Sequence, residues 1–328
     1  MTSRTTPTPS TALPRALRHA ARGDTATVLT ALDRNPALLN AASPGHNRTL
    51  LWEAASRGHA DLVCVLISRG ADPNTPGRYR HETFVLIKPH VAAVRKSYCA
   101  IADHILSSGA TSDIFTDAFL ADAQSLAARL ADAPSLANAR QSEDTVWHVT
   151  PLHHAVAGGR LAAAQMLIDA GAEVAAHTTL LYDIACRRGD WPLIRLLAAS
   201  GASPAGADAF SILYTDDPDI AGFFFTRGAS VNTSTFTPAW PPIVYVSRGD
   251  KGQHPERVRI LIHHGAAVNA RGPHGLTALH VAARAGFTDV IRLLIDTGAD
   301  PTLQDARGHT ARDVAVRHRR PDAIAALN

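Results

Sequence analysis

Seventeen histidines, three cysteines and a large surplus of arginine over lysine are the groups in this 328-residue chain with chemistry to offer. A zinc site needs ligands that one element brings to one face. His148, His154 and His177 are the set that could converge, yet no two stand i, i+4 with an acid between, so no metal is expected. Cys64, Cys99 and Cys186 form an odd set without a Cys-x-x-Cys spacing, which fits reduced thiols and a cytoplasmic address. The chain holds no Gly-x-Gly-x-x-Gly, no Gly-x-x-x-x-Gly-Lys-Ser/Thr, no Gly-x-Ser-x-Gly and no His-Glu-x-x-His. No catalytic residue and no cofactor are therefore assigned. One acid–base arrangement is worth stating: Asp183 beneath Tyr182, with Glu53 and Trp52 further along, against a buried Asp bonded to nearby backbone.

Cations recur at one kind of place. Arg22, Arg57, Lys96, Arg188 and Arg248 each precede a turn between two helical stretches, and Arg95, Arg187 and Arg284 stand one residue earlier. A row of guanidinium groups suits carboxylates or phosphates, although the helix dipole alone also favours cations at a C-terminus. The net charge of only +3 is too small to argue nucleic acid. No apolar run has the length of a membrane span. The Ala- and Arg-rich, Lys-poor composition fits a high-GC bacterial genome. Residues 1–23 carry four arginines and no acid, which admits a mitochondrial presequence; a disordered tail over 1–13 is the preferred reading.

The elements that position these groups repeat. From Gly275 to Pro301 the chain reads as a short helix ending at Gly286, then a second with Val290, Ile291, Leu293, Leu294 and Ile295 on a broad apolar face, stopped by Gly298-Ala299. Gly275, Thr277 and Ala282 recur as Gly308, Thr310 and Ala315, each 33 residues on. The glycine between the helices lies 12 residues before the closing glycine in Gly58–Gly70, Gly159–Gly171, Gly189–Gly201 and Gly286–Gly298. A pair this short cannot enclose a core, so it must stack on its neighbours. With the Thr-x-Leu-His-x-Ala pattern, this period resembles the ankyrin repeat.

The resemblance implies an all-α solenoid of about ten helix-turn-helix layers with hairpin-like finger loops, over residues 14–328. Layers are expected to start near Pro14, Thr49, Lys88, Ser112, Thr150, Leu180, Ala207, Trp240, Thr277 and Thr310. His153 and His280 then bond to backbone and to the Thr hydroxyl of their own or a neighbouring layer, and Asp183 stands where the family usually has His. The first and fourth layers match at an offset of 98 and use Pro36 and Pro134 in place of a closing Gly-Ala. Irregular layers fall near 75–140 and 205–265, including the acidic turn Tyr214-Thr215-Asp216-Asp217-Pro218-Asp219 and an eighth layer with extra residues around Asp250–Pro255.

Such folds seldom catalyse, so the chain is expected to be a monomeric scaffold for a protein partner with acidic patches. The partner-binding candidates are Arg57, Arg78, Tyr79, His81, Trp147, His154, Arg187, Arg188, Trp240 and Arg248, with the tyrosine and the two tryptophans as aromatic anchors. The alternative is an atypical enzyme or small-molecule binder with a pocket at Asp183, Tyr214 and Asp216 in residues 180–265.

Overall fold

The computed structural model describes residues 9–79, 82–141, 148–234, 239–249 and 253–328. Within them lie twenty α-helices and one two-stranded sheet. The chain divides into two units, Met1–Ala172 and Glu173–Asn328, at a closing Gly-Ala. The single array expected from sequence therefore has a boundary between pairs, where a chain of nearest-neighbour contacts divides most easily.

The first unit holds five helix pairs: α1 (Pro9–Ala20) with α2 (Thr25–Arg34), α3 (Leu50–Arg57) with α4 (Ala60–Ser68), α5 (Pro89–Val94) with α6 (Cys99–Ser107), α7 (Ile114–Leu120) with α8 (Ala123–Asp132), and α9 (Pro151–Gly158) with α10 (Leu161–Asp169). The second holds α11 (Thr178–Arg188) with α12 (Trp191–Ala199), α13 (Ala209–Leu213) with α14 (Pro218–Phe225), α15 (Pro242–Val246) with α16 (Pro255–His263), α17 (Ala278–Ala285) with α18 (Thr288–Asp296), and α19 (Ala311–Arg317) with α20 (Pro321–Ala326). Helix α1 begins at Pro9, ahead of the expected start at Pro14, and Leu13 is already buried. Apolar side chains from Leu13 to Ile105 form one continuous core through the first three pairs.

The motif residues act as local starts. In α9 the Thr150 amide donates to His153 Nδ1 at 3.0 Å, and in α17 the Thr277 amide reaches His280 Nδ1 at 3.3 Å. Because Nδ1 accepts, the other ring nitrogen carries the proton, and His280 Nε2 donates it to the His309 carbonyl of the next pair at 2.9 Å. These two histidines are structural, as the resemblance implied. Asp313 does the same work in the last pair.

Every pair needs a left-handed residue between its helices. Six supply Gly, while Ser97, Ala121, Asp216 and Arg319 hold φ of 63°, 65°, 52° and 52°. A side chain costs about 1–2 kcal/mol in that region, against roughly 0.5–1 kcal/mol of extra chain entropy for Gly. Ala121 is exposed and loses no packing if trimmed. Ala121→Gly is thus expected to stabilise the first unit by about 0.5–1 kcal/mol; a denaturation midpoint that stays put or falls would contradict it.

Second helices end on Gly-Ala in the second, third and fifth to ninth pairs, while in the first and fourth Pro36–Leu38 and Pro134–Asn138 form short 3-10 turns. Asparagines tie five of these ends to the preceding pair, a device not foreseen from sequence. Asn40 donates to the Gly70 carbonyl and accepts from the Asp72 amide; Asn74 does so with Gly109 and Thr111, and Asn269 with Gly298 and Asp300. Asn138 likewise donates to the Gly171 carbonyl, and Asn232 accepts from the Ala267 amide. Helix-terminal carbonyls that lack an intrahelical partner are satisfied this way.

Between α4 and α5 the long link forms an antiparallel hairpin of β1 (Gly77–Tyr79) and β2 (Glu82–Ile87), with Gly77 opposite Ile87. Its base is fixed on α3. The buried Trp52 indole donates to the Ile87 carbonyl at 2.8 Å, Arg48 Nε donates to the Arg78 carbonyl at 2.6 Å, and Arg48 pairs with Glu53 at 2.9 Å. Gly77 lies flat on the indole, since a Cβ there would come within 2.8 Å of the ring.

Candidate functional site

In the first unit the residues expected to meet a partner separate into two kinds. Arg57 ends α3 in solvent, held only loosely to Glu53 at 3.9 Å. Arg22 and Lys96 are exposed at the same position of their own pairs. Arg78 is buried instead of projecting, because its strand is pinned to α3, and its amide donates to the His46 carbonyl at 2.7 Å. His154 is also buried: its Nε2 lies 3.2 Å from Gln141 Oε1 and its ring packs against Phe115 at 5.2 Å. Neither can touch a partner, and both leave the candidate set. Tyr79 lies in β1, its side chain outside the described part; His81 and Trp147 lie outside the described residues altogether.

In the second unit the acid–base reading fails on burial and occupancy. Asp183 is fully buried and accepts from Arg187 Nε at 2.7 Å and from the Ser211 hydroxyl of the next pair, so its partners are side chains and not backbone. Tyr182 donates its hydroxyl to the Ala202 carbonyl at 2.9 Å, and burial holds its proton on. Burial first, then the Asp183 charge, pushes the Cys186 thiol up, which removes it as a nucleophile. Glu53 and Trp52 belong to the other unit. Arg187, expected to be a free contact, is instead the counter-charge of Asp183. Arg188 and Arg248 are exposed, as is Arg284.

The irregular seventh and eighth pairs do open a cleft, of about 280 Å³, at their inter-helix turns. Its cause is helix length: α13 and α15 have five residues each, against eleven in α11 and eight in α17. Three missing residues remove roughly 4.5 Å of helix. Asp217 caps α14 early, and Pro241-Pro242 delays α15. Phe210, Leu213, Tyr214, Tyr245 and Val246 line the space, with Arg257 at its edge. Arg257 is clasped by Asp216 through contacts of 2.5 and 3.1 Å, so the left-handed Asp216 is a positioning group. Trp240 packs near Tyr245, ring centres 6.5 Å apart.

The comparisons agree with this architecture. Residues 243–327 match the family model "Ankyrin repeats (3 copies)", and 46–78 and 147–179 each match "Ankyrin repeat". This chain is an ankyrin-repeat protein. It is 26% identical to the ankyrin repeat and KH domain-containing protein mask-1 of Caenorhabditis elegans, over 84% of this chain and 11% of that one. It is 27% identical to the mouse B-cell lymphoma 3 protein homolog, over 53% of this chain and 41% of the relative. The chain thus spans less than half the length of either. The crystal structure of the Bcl-3 ankyrin repeat domain superposes with a TM-score of 0.52 at 22% identity, covering 66% of this chain and 98% of that one. Among the described residues of this ankyrin-repeat chain, no group of three or more His, Cys, Asp or Glu could hold a metal, and no helix is long and apolar enough to cross a membrane.

Proposed function

We propose that the chain is a scaffold that binds a protein partner with acidic patches through the ends of the first helices of its pairs. What carries this reading is the recurrence of an exposed cation at one register position: Arg22, Arg57 and Lys96 in the first unit, Arg188 and Arg248 in the second. Repeat pairs present such a position on a preformed frame, so little ordering entropy opposes binding. The ankyrin relatives support interaction as the general role. Free Cys64, Cys99 and Cys186 fit a reducing, cytoplasmic setting, and the chain acts as a monomer with no nucleic acid involved.

The test is capture of partners by the full chain and by a variant carrying Arg57→Glu, Arg188→Glu and Arg248→Glu. Arg187 is left intact because it neutralises a buried acid. The variant is expected to lose the partner, and wild-type affinity to fall as salt rises from 0.05 to 0.5 M, an approximate range in which screening of exposed charges becomes strong. A partner held equally by both proteins at both salt levels would exclude this surface.

A further inference from the structure

We propose that the cleft between the seventh and eighth pairs receives one large aromatic side chain of the partner, next to an Asp or Glu in the partner's own sequence. The proposal rests on the scaffold reading and adds to it the chemistry of one contact.

Three observations lead there. The cleft exists because two successive first helices are short, and its walls are largely apolar, Phe210, Leu213, Tyr245 and Val246, with His254 and Arg257 as the basic part of the lining. At about 280 Å³ it sits at the lower end of the roughly 300–1,000 Å³ of ligand sites and has room for one large aromatic side chain.

At its mouth stands Tyr214, 47% exposed and yet held in place. The Arg187 guanidinium lies 4.0 Å from the ring centre and Arg257 lies 5.9 Å away. Each arginine is itself fixed, Arg187 by Asp183 and Arg257 by Asp216. An exposed aromatic clamped before any partner arrives loses little freedom on binding, which is the property of an interface anchor.

The remaining cation decides the charge of the occupant. Arg248 is exposed and stacks near Trp240 at 5.8 Å and Tyr245 at 5.6 Å. Unlike Arg187 and Arg257, it has no carboxylate within ion-pair reach among the described residues. A guanidinium on an aromatic rim, with its N–H edge unused, is a site for a carboxylate arriving beside the buried ring.

The probe is a random linear peptide library panned against the full chain, followed by titration of the enriched peptides. Enriched peptides are expected to carry Phe, Tyr or Trp adjacent to Asp or Glu. Tyr214→Ala and Arg248→Glu are each expected to weaken them by about tenfold or more. Arg248 is on the surface, so its variant keeps the readout valid should Tyr214→Ala disturb folding. Enriched peptides lacking that pair, or bound equally by both variants, would overturn the cleft assignment. If the full-length partner is still captured in that case, the scaffold reading stands alone; if the wild-type chain captures neither peptide nor partner, the scaffold reading falls as well.

Discussion

Arg187→Ala should destabilise the second unit by about 3–5 kcal/mol, the cost of leaving a buried charge without its partner. Asp183 is wholly inside, and apart from Arg187 at 2.7 Å its remaining side-chain partner is the neutral Ser211 hydroxyl. The Arg187 side chain is 28% exposed and can return to water, so the loss lies almost entirely on the acid. Removing both groups should therefore be milder than removing the arginine alone: Asp183→Ala combined with Arg187→Ala should recover a substantial part. The measurement is native-state hydrogen exchange of the α11 and α13 amides, because a two-unit chain need not melt in one step. A cost below about 1 kcal/mol, typical of exposed pairs, would show that the buried charge is not what Arg187 serves.

Trp52→Ala is the second large effect, again about 3–5 kcal/mol, now in the first unit. The indole fills the base of the hairpin, 1% exposed, with Gly77 on one face and the Arg48 guanidinium 4.8 Å from its centre. It also spends its N–H on Ile87, so the substitution both opens a cavity and releases a strand. Trp52→Phe separates the two contributions: it keeps much of the volume and drops the hydrogen bond, and about 1 kcal/mol is expected from that loss. The readout is chemical denaturation with exchange protection at Val85–Ile87. Protection that survives Trp52→Ala would mean the hairpin is held by something other than the indole.

The ten pairs were legible because their punctuation is local. Thr49, Thr150, Thr277 and Thr310 start helices at the next residue, and the paired glycines stop them at fixed intervals. Layers one and four were recognisable from their match at an offset of 98, which includes Pro36 and Pro134. What escaped was anything decided by distant neighbours. Arg78 and His154 read as exposed in a linear pattern, but Arg48, from 30 residues away, and Gln141, from 13 residues away, draw them inside. Arg187 looked like one more member of a cationic row; a buried Asp183 was among the readings, but its partner was taken to be backbone and not the arginine four residues on. The seventh and eighth layers were visible as irregular, from Pro218, Pro241 and Pro242, whereas the cleft appears only when both short helices stand side by side. Asparagines at 74, 232 and 269 stand four residues after a closing glycine, and those at 40 and 138 four after Pro36 and Pro134, and that readable spacing was overlooked.

Those amides reach no further than the succeeding stop. A gene that gains or loses one complete module by unequal crossing-over presents, at the new junction, the same acceptor and donor to the same amide, and the splice is chemically seamless. The match at an offset of 98 between residues 24–41 and 122–139 is what such a history leaves behind. Lineages of this chain should accordingly differ in length by whole modules far more often than by fragments of one.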